Sequence, residues 1–250
     1  MKKIAFVMMA AAALFFTFSC NPDETPSKDK DKGKEEQKEE EQPKINITID
    51  GQFDDWAAMD ASLYVSAKNN PNSPWEGVAE IRCCADPDFV YYYIKFNKEA
   101  IEEQLANNES LPIRLCINTD GEFESGYTSY FLEGYDFIIE GPLGNGEGGW
   151  GEYDGTLHQR IGSWVSLLEP NSGLVQGKGA GVEYEILLAR EIFNNAIAGS
   201  TEVNSPIGDV FHTGIRFYCN GWEEFSNMPN SSIDEVDNGW GHLLEVPTIK

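Results

Sequence analysis

From Ile45 onward the chain keeps returning to one pattern: short runs in which apolar residues hold every second position. Ile45, Ile47 and Ile49 alternate with Asn46 and Thr48. Val90, Tyr92, Ile94 and Phe96 alternate with Tyr91, Tyr93 and Lys95. Ile113, Leu115 and Ile117 alternate with Arg114 and Cys116, and Val182, Tyr184, Ile186 and Leu188 form another such series. A period of two sends alternate side chains to opposite faces of a strand. Many such runs, separated by Gly, Asn and Pro, predict an all-β chain, an antiparallel, immunoglobulin-like β-sandwich with one or two short helices.

Taken in order, the strand predictions are 45–49, 63–67, 78–85, 89–97, 113–117, 135–139, 157–161, 164–168, 174–178, 182–188, 214–219 and 243–249. Short helices are predicted over 98–107 and 189–196. Asp86-Pro87-Asp88 turns one hairpin. The Trp56 turn is expected to cap the end of the sandwich, with its indole in the core.

What precedes this region is of another kind. Lys2 and Lys3 followed by the apolar Ile4–Phe16 read as a signal peptide, too short for a membrane span. Cys20 directly after it, followed by Asn21, resembles a bacterial lipoprotein signal, with Cys20 as the lipidated N-terminus. An ordinary secretory signal cut nearby is the alternative. Several acyl chains would anchor the chain stably, at roughly 0.8 kcal/mol for each buried CH₂. Asp23 and Glu24 resemble the surface-export signal of Bacteroidetes lipoproteins, which implies an outer-membrane, cell-surface location, with a periplasm-facing anchor as the alternative. Residues 21–44 hold no aliphatic or aromatic residue and read as a disordered tether. The divisions are therefore 1–20, 21–44 and 45–250.

Charge narrows the partners. The chain carries −24; removing the tether's −3 and the signal's +2 leaves −23 on residues 45–250. Such a surface repels phosphate backbones, so nucleic acid is excluded as a partner. Contact with the membrane is expected through the lipid anchor alone.

Two kinds of candidate site stand out. The loop after Ile117 places oxygen-bearing side chains at Asn118, Asp120, Glu122 and Glu124, and Asp136 follows on the return strand. Calcium takes six to eight oxygens, which such a loop could supply together with backbone carbonyls. A solvated acidic turn is the plain alternative. The second kind is aromatic: flat rings stack on the apolar faces of pyranoses. Trp75, Trp150 and Trp222 lie in Asn-, Gly- or Pro-rich segments, and Tyr153 shares the glycine-rich loop with Trp150. These four are the candidate ligand-binding residues. Trp240 is also available, whereas Trp164, between strand residues, is expected in the core. His158, His212 and His242 lack zinc-ligand spacing, and no nucleophile elbow or metalloprotease helix is present. Cys83, Cys84, Cys116 and Cys219 leave three pairings open, a Cys83–Cys84 bond being disfavoured because neighbours point to opposite faces.

The ordered segments 49–56, 79–96, 113–127, 182–193 and 213–220 resemble the DOMON-like sandwich of carbohydrate-binding module family 9. Ile49-Asp50-Gly51 with Asp55-Trp56 is the most recognisable piece. The resemblance implies non-catalytic sugar binding and often structural calcium. It departs at the sugar clamp: no Trp stands near 108–112, and neither Trp222 nor Trp240 matches the second clamp position securely.

The expectation is a lipid-anchored surface domain that binds a glycan without cleaving it. The alternatives are a structural or adhesive domain that binds another envelope protein, and a glycoside hydrolase.

Overall fold

The computed structural model describes residues 44–107, 111–127, 134–161, 163–198, 205–219, 222–237 and 241–250. The signal, Cys20, the tether up to residue 43, residues 108–110 of the upstream clamp stretch and Trp240 lie outside the described residues. No described helix is long and apolar enough to cross a membrane.

Two antiparallel sheets face one another. The first contains β1 (Val65–Lys68), β2 (Val78–Ala85), β3 (Phe89–Phe96), β8 (Val175–Ala180) and β9 (Glu183–Ala189), in the order β1-β2-β3-β9-β8. The second contains β4 (Pro112–Asn118), β5 (Phe137–Pro142), β6 (Thr156–Ile161), β7 (Ser163–Leu168), β10 (Val210–Tyr218), β11 (Glu224–Met228) and β12 (Leu244–Pro247). Its order is β11-β10-β4-β5-β6-β7, with β12 also paired to β10. This is the predicted all-β sandwich. The described helices are short: α1 (Asp54–Ala58), α2 (Lys98–Asn107), α3 (Arg190–Ile197) and α4 (Ile233–Asp237). They exceed the one or two expected because α1 and α4 span only about a turn and leave no periodic signal in the sequence.

Alternation sets the core. Val90, Tyr92, Ile94 and Phe96 meet Ile113, Leu115, Ile117, Phe137 and Phe217 between the sheets. Burying one such side chain contributes about 1.5–3 kcal/mol, and the register is fixed because a one-residue slip would turn each set outward.

The predicted first strand does not form. Ile45, Ile47 and Ile49 do alternate in burial, yet residues 45–49 join no sheet. Their side chains pack with Trp56 over Tyr91, Tyr93 and Cys84, on the outer face of the five-stranded sheet. Trp56 is buried as expected, but in this satellite cluster and not at the end of the sandwich. Its ring centroid lies 5.5 Å from that of Tyr93. The Asp50-Gly51 turn is held by Glu185, whose Oε1 accepts from both backbone N–H groups at 2.8 and 2.7 Å.

A buried arginine ties the end of β9 to the β2–β3 turn and to the C-terminal segment. Arg190, at the start of α3, donates to the carbonyls of Ile207 and Gly208 at 2.8 and 2.9 Å and to Thr248 Oγ1 at 3.0 Å. It also reaches the Asp86 carbonyl. The four described cysteines are free thiols: Cys83, Cys84 and Cys116 are buried and Cys219 is half-buried. Cys83 lies in the main core and Cys84 in the satellite cluster, as opposite parity requires.

Candidate functional site

On β4 the residues between the core positions point away from the core. Arg114 is one of them, and it heads a polar row across the outer face of the seven-stranded sheet. Asn227, Arg216, Arg114, Glu140 and Thr156 are successive cross-strand partners on β11, β10, β4, β5 and β6. Two arginines directly opposite repel. Each is offset by a carboxylate: Arg114 Nε lies 2.8 Å from Glu140 Oε2, and Arg216 Nη1 lies 3.2 Å from Glu224 Oε2.

Aromatic rings gather around Arg114. Its guanidinium carbon lies 4.9 Å from the Tyr218 ring centroid, 5.0 Å from that of Trp222 and 5.5 Å from that of Trp164. Trp164 and Trp222 therefore flank one guanidinium, their centroids no farther apart than the sum of their two distances to it. Trp164 is 39% exposed and Trp222 49%. Trp164 stacks on His158 (4.9 Å, 23° between planes), and His158 Nδ1 lies 3.2 Å from Ser166 Oγ. Burial works against the charge on Arg114, but Tyr218 and Glu140 outweigh it and raise its pKa. Burial pushes the Tyr218 hydroxyl up to about 12. It pulls the His158 pKa down, against the charges of Glu140 and Glu169.

The polar atoms left over have a definite character. Arg114 spends Nε on Glu140 and Nη1 on the Tyr218 hydroxyl, 3.2 Å away. Among the described residues, Arg114 Nη2 and Glu140 Oε1 are engaged by nothing, and both side chains are about one-fifth exposed. A donor beside an acceptor, next to two part-exposed indoles whose rings already meet Arg114 and, for Trp164, His158 and Tyr127, can meet two neighbouring hydroxyl groups.

Trp222 occupies this place under strain. Its φ is +65°, a region that disfavours a bulky L-residue by about 1–2 kcal/mol. The turn between β10 and β11 holds it there: the Trp222 N–H donates to the Cys219 carbonyl at 3.1 Å and the Cys219 N–H to the Glu223 carbonyl at 2.9 Å. Strain of this sort persists where the surroundings over-determine it, often at sites of function.

The other expected ligand residues lie elsewhere. Tyr153 is a core residue, its hydroxyl donating to the Ile139 carbonyl at 3.0 Å. This corrects the expectation that it is a ligand-binding residue of the glycine-rich loop. Trp150 is half-buried against Phe96 and Tyr184, with Nε1 donating to the Gly181 carbonyl at 3.1 Å. Its loop folds inward because Gly177 and Gly179 leave room for the Tyr153 and Trp150 side chains. Trp75 belongs to a loop stitched through Asn230 to the segment after β11. Of the four, only Trp222 joins the Arg114 face. Trp164 corrects in the other direction: expected in the core, it stands on the outer surface of an edge strand. Arg114, Glu140, His158 and Tyr218 carry no motif; the signal available was their position between core residues on strands.

The loop after β4 is mostly closed on itself. Asn118 is buried, its Oδ1 accepting from the Gly121 N–H and its Nδ2 donating to the Gly134 carbonyl, both at 2.7 Å. Asp120 Oδ1 accepts from the Glu122 N–H, and Asp120, Glu122 and Glu124 are exposed. Asp136 Oδ2 accepts from Thr119 N–H and Oγ1 at 2.7 and 3.1 Å. Asp136 Oδ1 is buried and unpartnered. Burial, with the Asp120 charge adding to it, pushes the Asp136 carboxyl up to about 6 against its bonds from Thr119. No three acidic, histidine or cysteine groups are gathered as a metal site among the described residues. Of the five residues expected to ligate calcium, Asp136 alone offers a buried oxygen with no partner among the described residues, so their fit to calcium is confined to Asp136 Oδ1.

The chain matches no protein-family model and no curated protein sequence.

Proposed function

We propose that this protein binds a glycan, without cleaving it, on the outer face of the seven-stranded sheet, and that a lipid on Cys20 holds it at the cell surface. The observation that supports this most is the pairing of two half-exposed tryptophans around one arginine whose Nη2, with Glu140 Oε1, is left for a ligand. Stacking covers the apolar face of a sugar, and the donor–acceptor pair meets its hydroxyls. The strained Trp222 fits this role better than a packing role. The nearby carboxylates Glu140 and Glu224 are each paired with an arginine, an arrangement suited to holding a side chain in place. The DOMON-like resemblance agrees with this function, although its clamp position near 108–112 has no tryptophan.

A structural calcium ion, as the resemblance implies, would be taken through Asp136, with Asp120 nearby. It would brace the loop after β4.

The test is a broad glycan array probed with the lipid-free protein, in calcium and again with chelator. Binding that is lost in Trp222→Ala is the expected result. Silence across the array in both conditions overturns the reading. Metabolic labelling with palmitate, lost in Cys20→Ala, tests the anchor.

One observation favours a protein partner as the second reading. The edge strand β7 exposes Trp164 and Val165 and carries no Lys, Pro or charged residue within Ser163–Leu168. Unprotected edges pair readily with other strands. Co-purification of an envelope protein, lost on Val165→Lys and with the array silent, would favour it.

A further inference from the structure

The segment that failed to become a strand is attached unlike the rest of the chain. Residues 44–52 make no backbone–backbone hydrogen bond among the described residues. They are held by alternate isoleucines lying on Trp56, Tyr91 and Tyr93 and by the Glu185 carboxylate under Asp50 and Gly51. Within the segment, Thr48 N–H donates to Asp55 Oδ2 at 2.9 Å. Clefts run along it: one of about 470 Å³ beside Ile49, one of about 320 Å³ beside Lys44 and Ile45, and one of about 340 Å³ beside Lys44 and Asn46. The sheet beneath it is a continuous ladder, β2 to β3 to β9. Besides Glu185, Arg82 on β2 ties α1, its Nη1 donating to the Trp56 carbonyl at 3.1 Å. A segment held by side chains alone, with no ladder of its own, opens at lower free energy than the sheet it lies on.

We propose that residues 44–53, together with α1, form a strap that opens as a unit while the sandwich stays folded, with Glu185 as its latch. The sequence leads from this strap straight toward the N-terminus, so a pull on the N-terminal side reaches the strap before the sheets. Opening would uncover the aromatic outer face of β3 and the thiol of Cys84.

Two adjacent cysteines provide the test. Cys84 is buried beneath the strap, whereas Cys83 points into the main core. The full chain is pulsed with iodoacetamide under native conditions and each site is read by fragment-resolved mass spectrometry. Cys84 is expected to be modified at least tenfold faster than Cys83. Glu185→Ala, and separately Ile47→Asp, should speed Cys84 at least another tenfold and leave Cys83 unchanged. Equal rates at Cys83 and Cys84 in the wild-type chain overturn the proposal, as do variants that remain folded with Cys84 still slow. If neither variant folds, the wild-type comparison alone decides.

Discussion

Trp222 carries the sharpest conflict between a residue and its backbone. An indole at φ +65° is unfavourable, so Trp222→Gly should remove backbone strain worth about 1–2 kcal/mol while losing the ring's contact with Arg114. Thermal unfolding should then show little net change in Tm, with glycan binding weakened at least tenfold. A large loss of Tm would instead make Trp222 a packing residue. Asp136 is the second conflict. Its folded-state pKa of about 6 lies above its ordinary value of 3.8, so the folded protein holds that proton more tightly than the unfolded chain. The resulting stabilisation is complete below about pH 4 and is lost as pH rises through about 6. The difference corresponds to roughly 3 kcal/mol. Denaturant titrations from pH 4 to 8 should show this loss in the wild type and a flatter profile in Asp136→Asn. A bound cation at Asp136 would give the opposite slope, and chelator would then lower stability at pH 8.

At the scale of elements, the strand runs are legible wherever alternate positions are apolar because they meet the main core. Val90 to Phe96 and Val182 to Leu188 follow that rule, and their strands fall where the alternation ends. The same alternation misled at Ile45–Ile49, because burial on one side is all it reports. It cannot distinguish a strand in a ladder from an extended arm laid across a sheet. β7 was placed correctly, but both of its parities carry apolar residues, so the side on which Trp164 lies was not readable. β11, Glu224–Met228, has too little pattern to announce itself, and it forms because β10 offers it an edge. Arg190 shows a different kind of invisibility. Its role depends on four acceptors brought together from distant parts of the chain. Arg190→Ala leaves the buried Ile207 carbonyl unpaired, at about 1–3 kcal/mol, and removes a donor from Asp86 and from Gly208, which keeps Thr248 Oγ1; it should lower Tm by several degrees. Arg190→Lys should recover only part of that, because an ammonium lacks the fork whose Nη1 reaches Asp86 and Thr248 while its Nη2 reaches Ile207 and Gly208.

For the molecule as a whole, charge and chemistry separate. The folded region carries −23, yet on the outer face of the seven-stranded sheet Arg114 and Arg216 balance Glu140 and Glu224. That locally neutral patch, rimmed by exposed tryptophan, is where an uncharged, hydroxyl-rich ligand meets least repulsion. Its binding should therefore change little between low and high salt, since no net charge is neutralised. Of its parts, Trp222 was legible from its loop composition. Arg114, Glu140 and Trp164 become a site only through register, which assembles β4, β5 and β7 from separate stretches of sequence. The most direct measurement is calorimetric titration of an array-identified oligosaccharide into the wild-type protein and into Trp164→Ala, Trp222→Ala and Arg114→Ala. Loss of about 2 kcal/mol or more at each of the three positions, with unfolding of the tryptophan variants unchanged, is the expected result. Wild-type affinity in all three variants would contradict a glycan site on this face.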